Sequence, residues 1–364
     1  MHNNKAIWLL FFSFLCIQIL HGQDPVFTSF MQNPLYYNPA TPGIQPGNEF
    51  HVNYREQWPG LPAGNRAYDY ASTHTFCNNF SLGLIALSNL EGESRIRTTN
   101  IGLSIAVPIS ISKYTRLSTG ITTAYGQKRI DWSQLEFDDQ YDKLWGKMYP
   151  TNFPFPDNSR KNYGDLSFGI AFQGSTKERP FNPQLVGIVG AAFHHAAVFP
   201  NPNFLGSTIN AVPFKQVYHS NAWILFGRDK DRGISPALMY EKQGSMETFN
   251  FSLSYMIQDF YVLGGFRNRN YKLSVDHYDS FLLGVGFISA DDLINSNSFK
   301  IGYSYDFTVS KLAGGAYGTH EIFMVYKIDR CLGSPFNRKN KKYNVKRPDK
   351  ECNDNMFRKQ PLYW

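Results

Sequence analysis

The chain has 364 residues, of which 42% are hydrophobic and only 18% charged, below the roughly 25% charge of an ordinary soluble domain. Aromatic residues reach 16%, and 29 Gly and 20 Pro punctuate the sequence from end to end. This mix argues against a helical protein and for many short strands joined by turns.

The N-terminus reads "MHNNKAIWLLFFSFLCIQILHGQ". Lys5 precedes an apolar run, Ala6–Leu20, of signal-peptide length, and Gly22 supplies a small residue before a cleavage point. Residues 1–22 therefore read as a cleaved leader. The run is short for a membrane-spanning helix. Cys16 follows the bulky Leu15, which argues against a lipoprotein site. Beyond position 23 no apolar run approaches the length of a helical span. Those features leave a periplasmic or secreted soluble protein, or an outer-membrane barrel.

Residues 23–47 hold several prolines and aromatics and precede the first strand. They are expected to line or plug a lumen. From 48 to 330 about 14 stretches have strand composition and a length of around ten residues, enough for a tilted strand to cross a bilayer. In "SFKIGYSYDF" (298–307) Phe299, Ile301, Tyr303, Tyr305 and Phe307 alternate with Lys300, Gly302, Ser304 and Asp306. In "TFNFSLSYMI" Phe249, Phe251, Leu253 and Tyr255 alternate with Asn250, Ser252 and Ser254. Period alone does not say whether the apolar face turns inward, as in a soluble β-sandwich, or outward to lipid. The leader, the even strand count, the aromatic load and the small polar second face favour a transmembrane barrel of about 14 antiparallel strands.

Two connections are long, about 138–162 and 197–215, and both are rich in Pro, Asn and aromatics. In a barrel with periplasmic termini, long loops are expected outside the cell. The last strand, "GTHEIFMVYKI" (318–328), is apolar on both faces. Its reading places Phe323 and Val325 toward lipid, His320, Met324 and Tyr326 toward the lumen, and Glu321 and Lys327 at the two rims. The tail, 331–364, carries nine Lys/Arg against three Asp/Glu, a balance of +6 in a chain of net +7. It reads as a solvated periplasmic tail or a docking segment for an acidic partner. Nucleic acid is not an expected partner in that compartment. Cys331 and Cys352 can close a loop there, which leaves Cys77 odd; sequence does not fix the pairing.

No catalytic set emerges. His194–His195 and His320–Glu321 lack the spacing of a helical zinc motif, and adjacent strand residues point to opposite faces. Asp138, Asp139 and Asp142 cluster in a loop but do not form an EF-hand pattern. No P-loop, nucleophile elbow or dinucleotide fingerprint is present. No cofactor, no metal and no small-molecule substrate is expected.

Several stretches together resemble the PorP/SprF family of outer-membrane proteins tied to type IX secretion. They are "FMQNPLYYNPATPGI" (30–44), "NYREQWPGLP" (53–62), "YGQKRIDWSQLEFDDQ" (125–140), "YGDLSFGIAF" (163–172) and "YSYDFTVSKLAGGAYGTHEIFMVYK" (303–327). The matching positions include Met31, Asn33, Pro34, Tyr36, Tyr37, Asn38 and Pro39 in the first block. In the second they are Tyr54, Gln57, Trp58, Pro59 and Gly60, and in the last Gly318, Thr319, His320 and Glu321. The resemblance implies a non-enzymatic 14-stranded barrel of the type IX secretion and gliding machinery. It also implies as partners outer-membrane lipids and either a periplasmic ring lipoprotein or a secreted adhesin. The long cationic tail departs from shorter family members, so core apparatus and dedicated adhesin partner both stay open. The motif residues are expected to act structurally or in partner binding. The competing readings are an outer-membrane transporter or porin for small or hydrophobic substrates and, more weakly, an outer-membrane hydrolase.

Overall fold

A computed structural model describes residues 24–328 apart from 45–46, 62–63, 77–79, 93–94, 113, 133–134, 157–158, 177–182, 205–211, 227–231, 270–277, 291–297 and 310–314. The leader, the tail, Cys77, Cys331 and Cys352 lie outside the described residues. The strands β1 (Asn48–Gln57), β2 (Asn65–Phe76), β3 (Phe80–Glu91), β4 (Ile96–Ser110) and β5 (Thr115–Arg129) form a meander. A small hairpin, β6 (Tyr141–Asp142) and β7 (Gly146–Lys147), interrupts it. The meander resumes with β8 (Arg160–Ser175), β9 (Gln184–Phe199), β10 (Lys215–Phe226), β11 (Arg232–Gln243) and β12 (Met246–Ile257). It ends with β13 (Phe260–Asn268), β14 (Tyr278–Ala290), β15 (Ser298–Thr308) and β16 (Thr319–Ile328).

Every large strand pairs antiparallel with its chain neighbours, β5 pairs directly with β8, and β1 pairs with β16. The sheet is therefore a closed barrel of 14 strands, without the open edges that a bilayer would penalise. The closing seam runs in register from Asn48↔Ile328 to Gln57↔Thr319.

The alternation resolves outward. On β4 the side chains of Ile101, Leu103, Ile105, Val107 and Ile109 are all exposed, between 44% and 63%. In water each such side chain would forgo roughly 1.5–3 kcal/mol of burial; against lipid the cost vanishes. The opposite face of the same strand buries Ser104 and Ala106. On β15 Lys300, Ser304 and Asp306 are buried while Ile301, Tyr303 and Phe307 are exposed. The apolar face meets lipid, and the soluble sandwich is excluded by the closed sheet.

The first strand starts and the last ends at one end of the barrel. At that inner end the described strand limits are bridged by short connections, 77–79, 111–114, 176–183, 227–231, 258–259 and 291–297. The opposite, outer end carries 130–159 and 200–214. This asymmetry, short turns beside the start of β1 and the end of β16 and long loops opposite, is the outer-membrane pattern. The first long connection begins directly after β5, at 130 rather than about 138, while β8 and β9 extend past their expected limits and move the end of the first connection to 159 and the start of the second to 200.

Two expectations for inner and outer faces are overturned. On β16 Glu321, Phe323, Val325 and Lys327 face inward and are buried, while Ile322, Met324 and Tyr326 are exposed to lipid. Both faces of this strand are apolar, so its period did not decide. The decisive contact is Glu321, which has partners only inside. Phe323 and Val325 join Trp223, Leu225, Met256 and Tyr261 in an apolar cluster inside the wall. His320 faces out, where its Nδ1 shares a hydrogen bond with the Tyr303 hydroxyl at 2.7 Å. On β9 a register irregularity opposite Leu166–Phe168 accompanies a positive φ of 57° at His195. The alternation breaks there, and both His194 and His195 turn inward instead of to opposite faces.

Candidate functional site

The interior of the barrel is occupied by residues 24–44. The segment enters β1 through residues at the inner end, and its start, Asp24, lies near the outer end of the wall. One helical turn, Pro34–Tyr37, and two tighter turns, Phe30–Gln32 and Thr41–Gly43, compact it. Pro34 sits at the first helical position, where a missing N–H costs nothing. Phe27, Phe30, Tyr36 and Tyr37 pack edge-on in pairs with centroids 4.8–6.3 Å apart, a favoured aromatic geometry. They meet small wall residues, Ala67, Ala192 and Ala237, with Val217 and Met239.

Three groups of polar contacts tie the segment to the wall. At its start the Asp24 carboxylate lies 2.9 Å from His195 Nε2 and 3.7 Å from Lys215 Nζ, and the Asp24 backbone N–H donates to Gln243 Oε1 at 2.9 Å. His195 Nδ1 is 2.7 Å from Asp165, and Lys215 is 3.2 Å from Glu241. Lys215 also lies 5.4 Å from the Tyr36 ring centroid, within cation–π reach.

In the middle, Glu321 accepts from the backbone N–H of Thr28 at 2.7 Å and of Ser29 at 2.8 Å. Arg55 bridges Glu321 at 3.2 Å, Asp306 at 3.0 Å and the Thr28 hydroxyl at 2.8 Å. Arg267 donates to Asp306 at 3.0 Å, and Thr28 Oγ1 donates to the same carboxylate. Two arginines and two carboxylates, all under a tenth exposed, thus share one buried network. Such a network is tolerable only because partners neutralise and hydrogen-bond each charge.

At the inner end, Arg116 donates to the Ile44 carbonyl at 3.0 Å and Ser118 to the Ala40 carbonyl at 2.7 Å. Asn38 Nδ2 donates to the Ile170 carbonyl at 3.0 Å. Gly120 and Gly169 face each other across β5 and β8. A Cβ on Gly120 would collide with the Pro39 carbonyl, and one on Gly169 with Asn38. The missing side chains form the recess in which Asn38, Pro39 and Ala40 lie.

The motif residues read from sequence fall into two places. Asn33, Pro34, Tyr36, Tyr37, Asn38 and Pro39 belong to the internal segment. Asn33 bonds to Asp69, Tyr37 accepts from the Phe27 N–H at 2.8 Å through its hydroxyl, and its carbonyl pairs with His194 Nε2 at 2.9 Å. Gln57, Trp58, Pro59 and Gly60 meet Gly318, Thr319, His320 and Glu321 at the outer end of the closing seam. There Trp58 N–H donates to the Gly318 carbonyl at 2.9 Å and Gly60 N–H to the Ala316 carbonyl at 3.4 Å, prolonging the seam past the strands. Trp58, Tyr317 and Gly318 all take positive φ. Cys331 and Cys352 lie outside the described residues.

Asp24, Arg55, Lys215 and Arg267, which hold the segment, were not singled out from sequence; His195 was weighed only as a metal ligand, and Asp306 only as part of an alternating strand. The available signal was charge on the inward parity of strands otherwise poor in charge. Between the segment and the outer rim the lumen opens into a cavity of about 690 Å³, bordered by Pro25, Val26, Trp58, Asn89, Met246 and Arg269. Among the described residues no group of three His, Cys, Asp or Glu side chains is placed to hold a metal ion.

Residues 19–326 match the family described as type IX secretion system membrane protein PorP/SprF. No curated protein matches the sequence. Solved structures of similar outline include the CymD monoaromatic hydrocarbon channel, at 10% identity over 85% of this chain and 96% of that one, with a TM-score of 0.45. A FadL homologue of Pseudomonas aeruginosa is 12% identical over 82% and 94% of the two chains, with a TM-score of 0.41. The toluene transporter TodX of Pseudomonas putida is 8% identical over 82% and 93%, with a TM-score of 0.40.

Proposed function

The chain belongs to the PorP/SprF family of type IX secretion system membrane proteins, and on that premise we propose that it is a non-enzymatic scaffold of that machinery in the outer membrane. In this reading the barrel fixes a position in the membrane. Its exposed ends hold periplasmic ring partners, or support export and surface attachment of one large adhesin, and cargo does not pass through the lumen. One observation carries the reading: residues 24–44 lie inside the barrel and are bonded at start, middle and end to strands around the wall. A lumen of 14 strands filled in this way has no room for a folded chain.

The test is deletion of the gene followed by mass spectrometry of secreted and surface proteins. Loss of many type IX cargos makes the protein a core component. Loss of one adhesin alone makes it that adhesin's dedicated partner. An unchanged secretome overturns the secretion role and leaves the transporter reading, which uptake measured in liposomes would then examine.

A further inference from the structure

The outer connection 130–159 is not a loose loop. Its base is an aromatic cluster. Trp132 lies 6.0 Å from Phe153 and 6.2 Å from Phe204 of the neighbouring connection, and Phe137 stacks on Phe153 at 4.7 Å. Asp139 accepts from the Thr151 hydroxyl at 2.9 Å and from the Asn152 N–H at 2.6 Å. From this base rises the β6–β7 hairpin. The backbone N–H groups of Met148 and Tyr149 return to the Gln140 carbonyl at 2.8 and 3.1 Å. Asp142 caps the turn by accepting from the N–H groups of Leu144 at 2.8 Å and Trp145 at 3.1 Å. Glu136 accepts from the Tyr141 hydroxyl and pairs with Lys147 at 3.1 Å. These two bonds hold its carboxyl below the ordinary range.

What this frame presents is apolar. Leu144 is 86% exposed, Trp145 77%, Met148 62% and Tyr149 55%. Large apolar side chains fixed at a raised turn, outside the bilayer, mark an interaction surface. The ordering contacts have already removed much of the entropy that docking would otherwise cost. Around the apolar tip the described residues 135–156 carry four acids, Glu136, Asp138, Asp139 and Asp142, against two lysines, Lys143 and Lys147. A net negative collar opposes a phosphate-rich lipid surface. It complements an apolar pocket rimmed by Lys or Arg.

We infer that the β6–β7 finger docks into a basic-rimmed apolar pocket of an exported protein at the cell surface, with Leu144 and Trp145 as its anchors. This rests on the secretion reading above and goes beyond it by naming the docking element and the chemistry of its partner. Trp and Tyr are among the residue types that dominate binding at such contacts, and Leu144 beside Trp145 enlarges the apolar area offered.

The experiment places the photo-crosslinker p-benzoylphenylalanine at position 145 in living cells. Cross-linked adducts are identified by mass spectrometry, and the identified protein is then purified and titrated against the barrel in nanodiscs. The expected result is an adduct with an exported protein. Its affinity falls about tenfold or more in Trp145→Ala and Leu144→Asp. It is unchanged in Val309→Ala, an exposed residue in another outer connection. Heat-modified gel mobility checks that each variant folds. Adducts only with a second copy of this chain, adducts only with lipid or lipopolysaccharide, or no adduct in a folded protein would each overturn the inference. So would a Leu144→Asp/Trp145→Ala strain that exports and retains every cargo lost in the gene deletion. That outcome leaves the secretion role standing, whereas a deletion without effect removes the role itself.

Discussion

Arg55 is where the polar interior is most tightly coupled. Its guanidinium reaches Asp306, Glu321 and Thr28 at once, and its side chain is 3% exposed. In Arg55→Met, Asp306 keeps only Arg267 as a cationic partner, and Glu321 keeps the two peptide N–H groups of Thr28 and Ser29. Removing one partner of a buried charge network costs about 3–5 kcal/mol. Urea unfolding in lipid vesicles, followed by gel mobility, should show a loss of that size; a change under about 1 kcal/mol would mean that the network is slack. Glu321→Gln is expected to cost less, because its amide oxygen still accepts one of the two N–H groups. Parts of this network were legible in the sequence and parts were not. Asp306 stood on the polar parity of a strand whose other face is wholly apolar, so alternation assigned it inward. Glu321 lies on a strand apolar on both faces, where period carries no sign, and only its partners on β1 and the internal segment decide. His194 and His195 misled for a different reason, since a bulge that reverses parity leaves no mark in composition.

At the scale of elements, the internal segment and the wall are shaped to each other. The "NPLYYNPA" stretch folds into one helical turn followed by an extended Asn38, and the wall answers with Gly120 and Gly169 where Asn38–Ala40 pass. Gly169→Leu pushes a side chain into the Pro39 ring, the Ala40 backbone and the Asn38 side-chain amide, which its bonds to the Ile170 carbonyl and the Ala40 N–H hold in place. Limited proteolysis should then cut within residues 24–44 in a barrel that is otherwise folded, whereas the parent protein resists. Equal resistance would show that the recess is not what seats the segment. Deleting residues 24–44 should turn a barrel that passes no steady current in a planar bilayer into one with stepwise conductance. A folded but silent deletion variant would transfer closure to the apolar layer of Trp223, Tyr261 and Phe323. Composition announced an unusual segment, through its prolines and aromatics. It did not announce the direction in which the segment runs, because that is set by contacts of Asp24 and Ile44 with strands more than seventy residues away.

For the whole molecule the central question is which end faces out. Strand number and closure were readable from the repeated ten-residue alternation and turn residues. Orientation was readable only through connection length, since no single residue encodes it. An even number of strands puts the start of β1 and the end of β16 at one end, and the connections 130–159 and 200–214 at the other. A barrel assembled from the periplasm keeps the start of its first strand and the end of its last there and sends its long loops through. The consequence is measurable at single sites. With the native cysteines changed to Ser, a cysteine at Leu144 should react with a membrane-impermeant maleimide on intact cells. One at Gln258, in the tight turn between β12 and β13, should react only after the outer membrane is opened. Both positions lie in connections outside the strands, so neither change disturbs the wall. The reverse pattern would place the β6–β7 finger in the periplasm, where its apolar tip could meet ring components but no surface protein. Labelling at both sites in intact cells would show leaky cells, which labelling of a soluble periplasmic marker detects. The expected pattern fixes the outer end as the face that carries the finger and the 690 Å³ cavity, and leaves the short turns, with the start of β1 and the end of β16, as the surface available to partners inside.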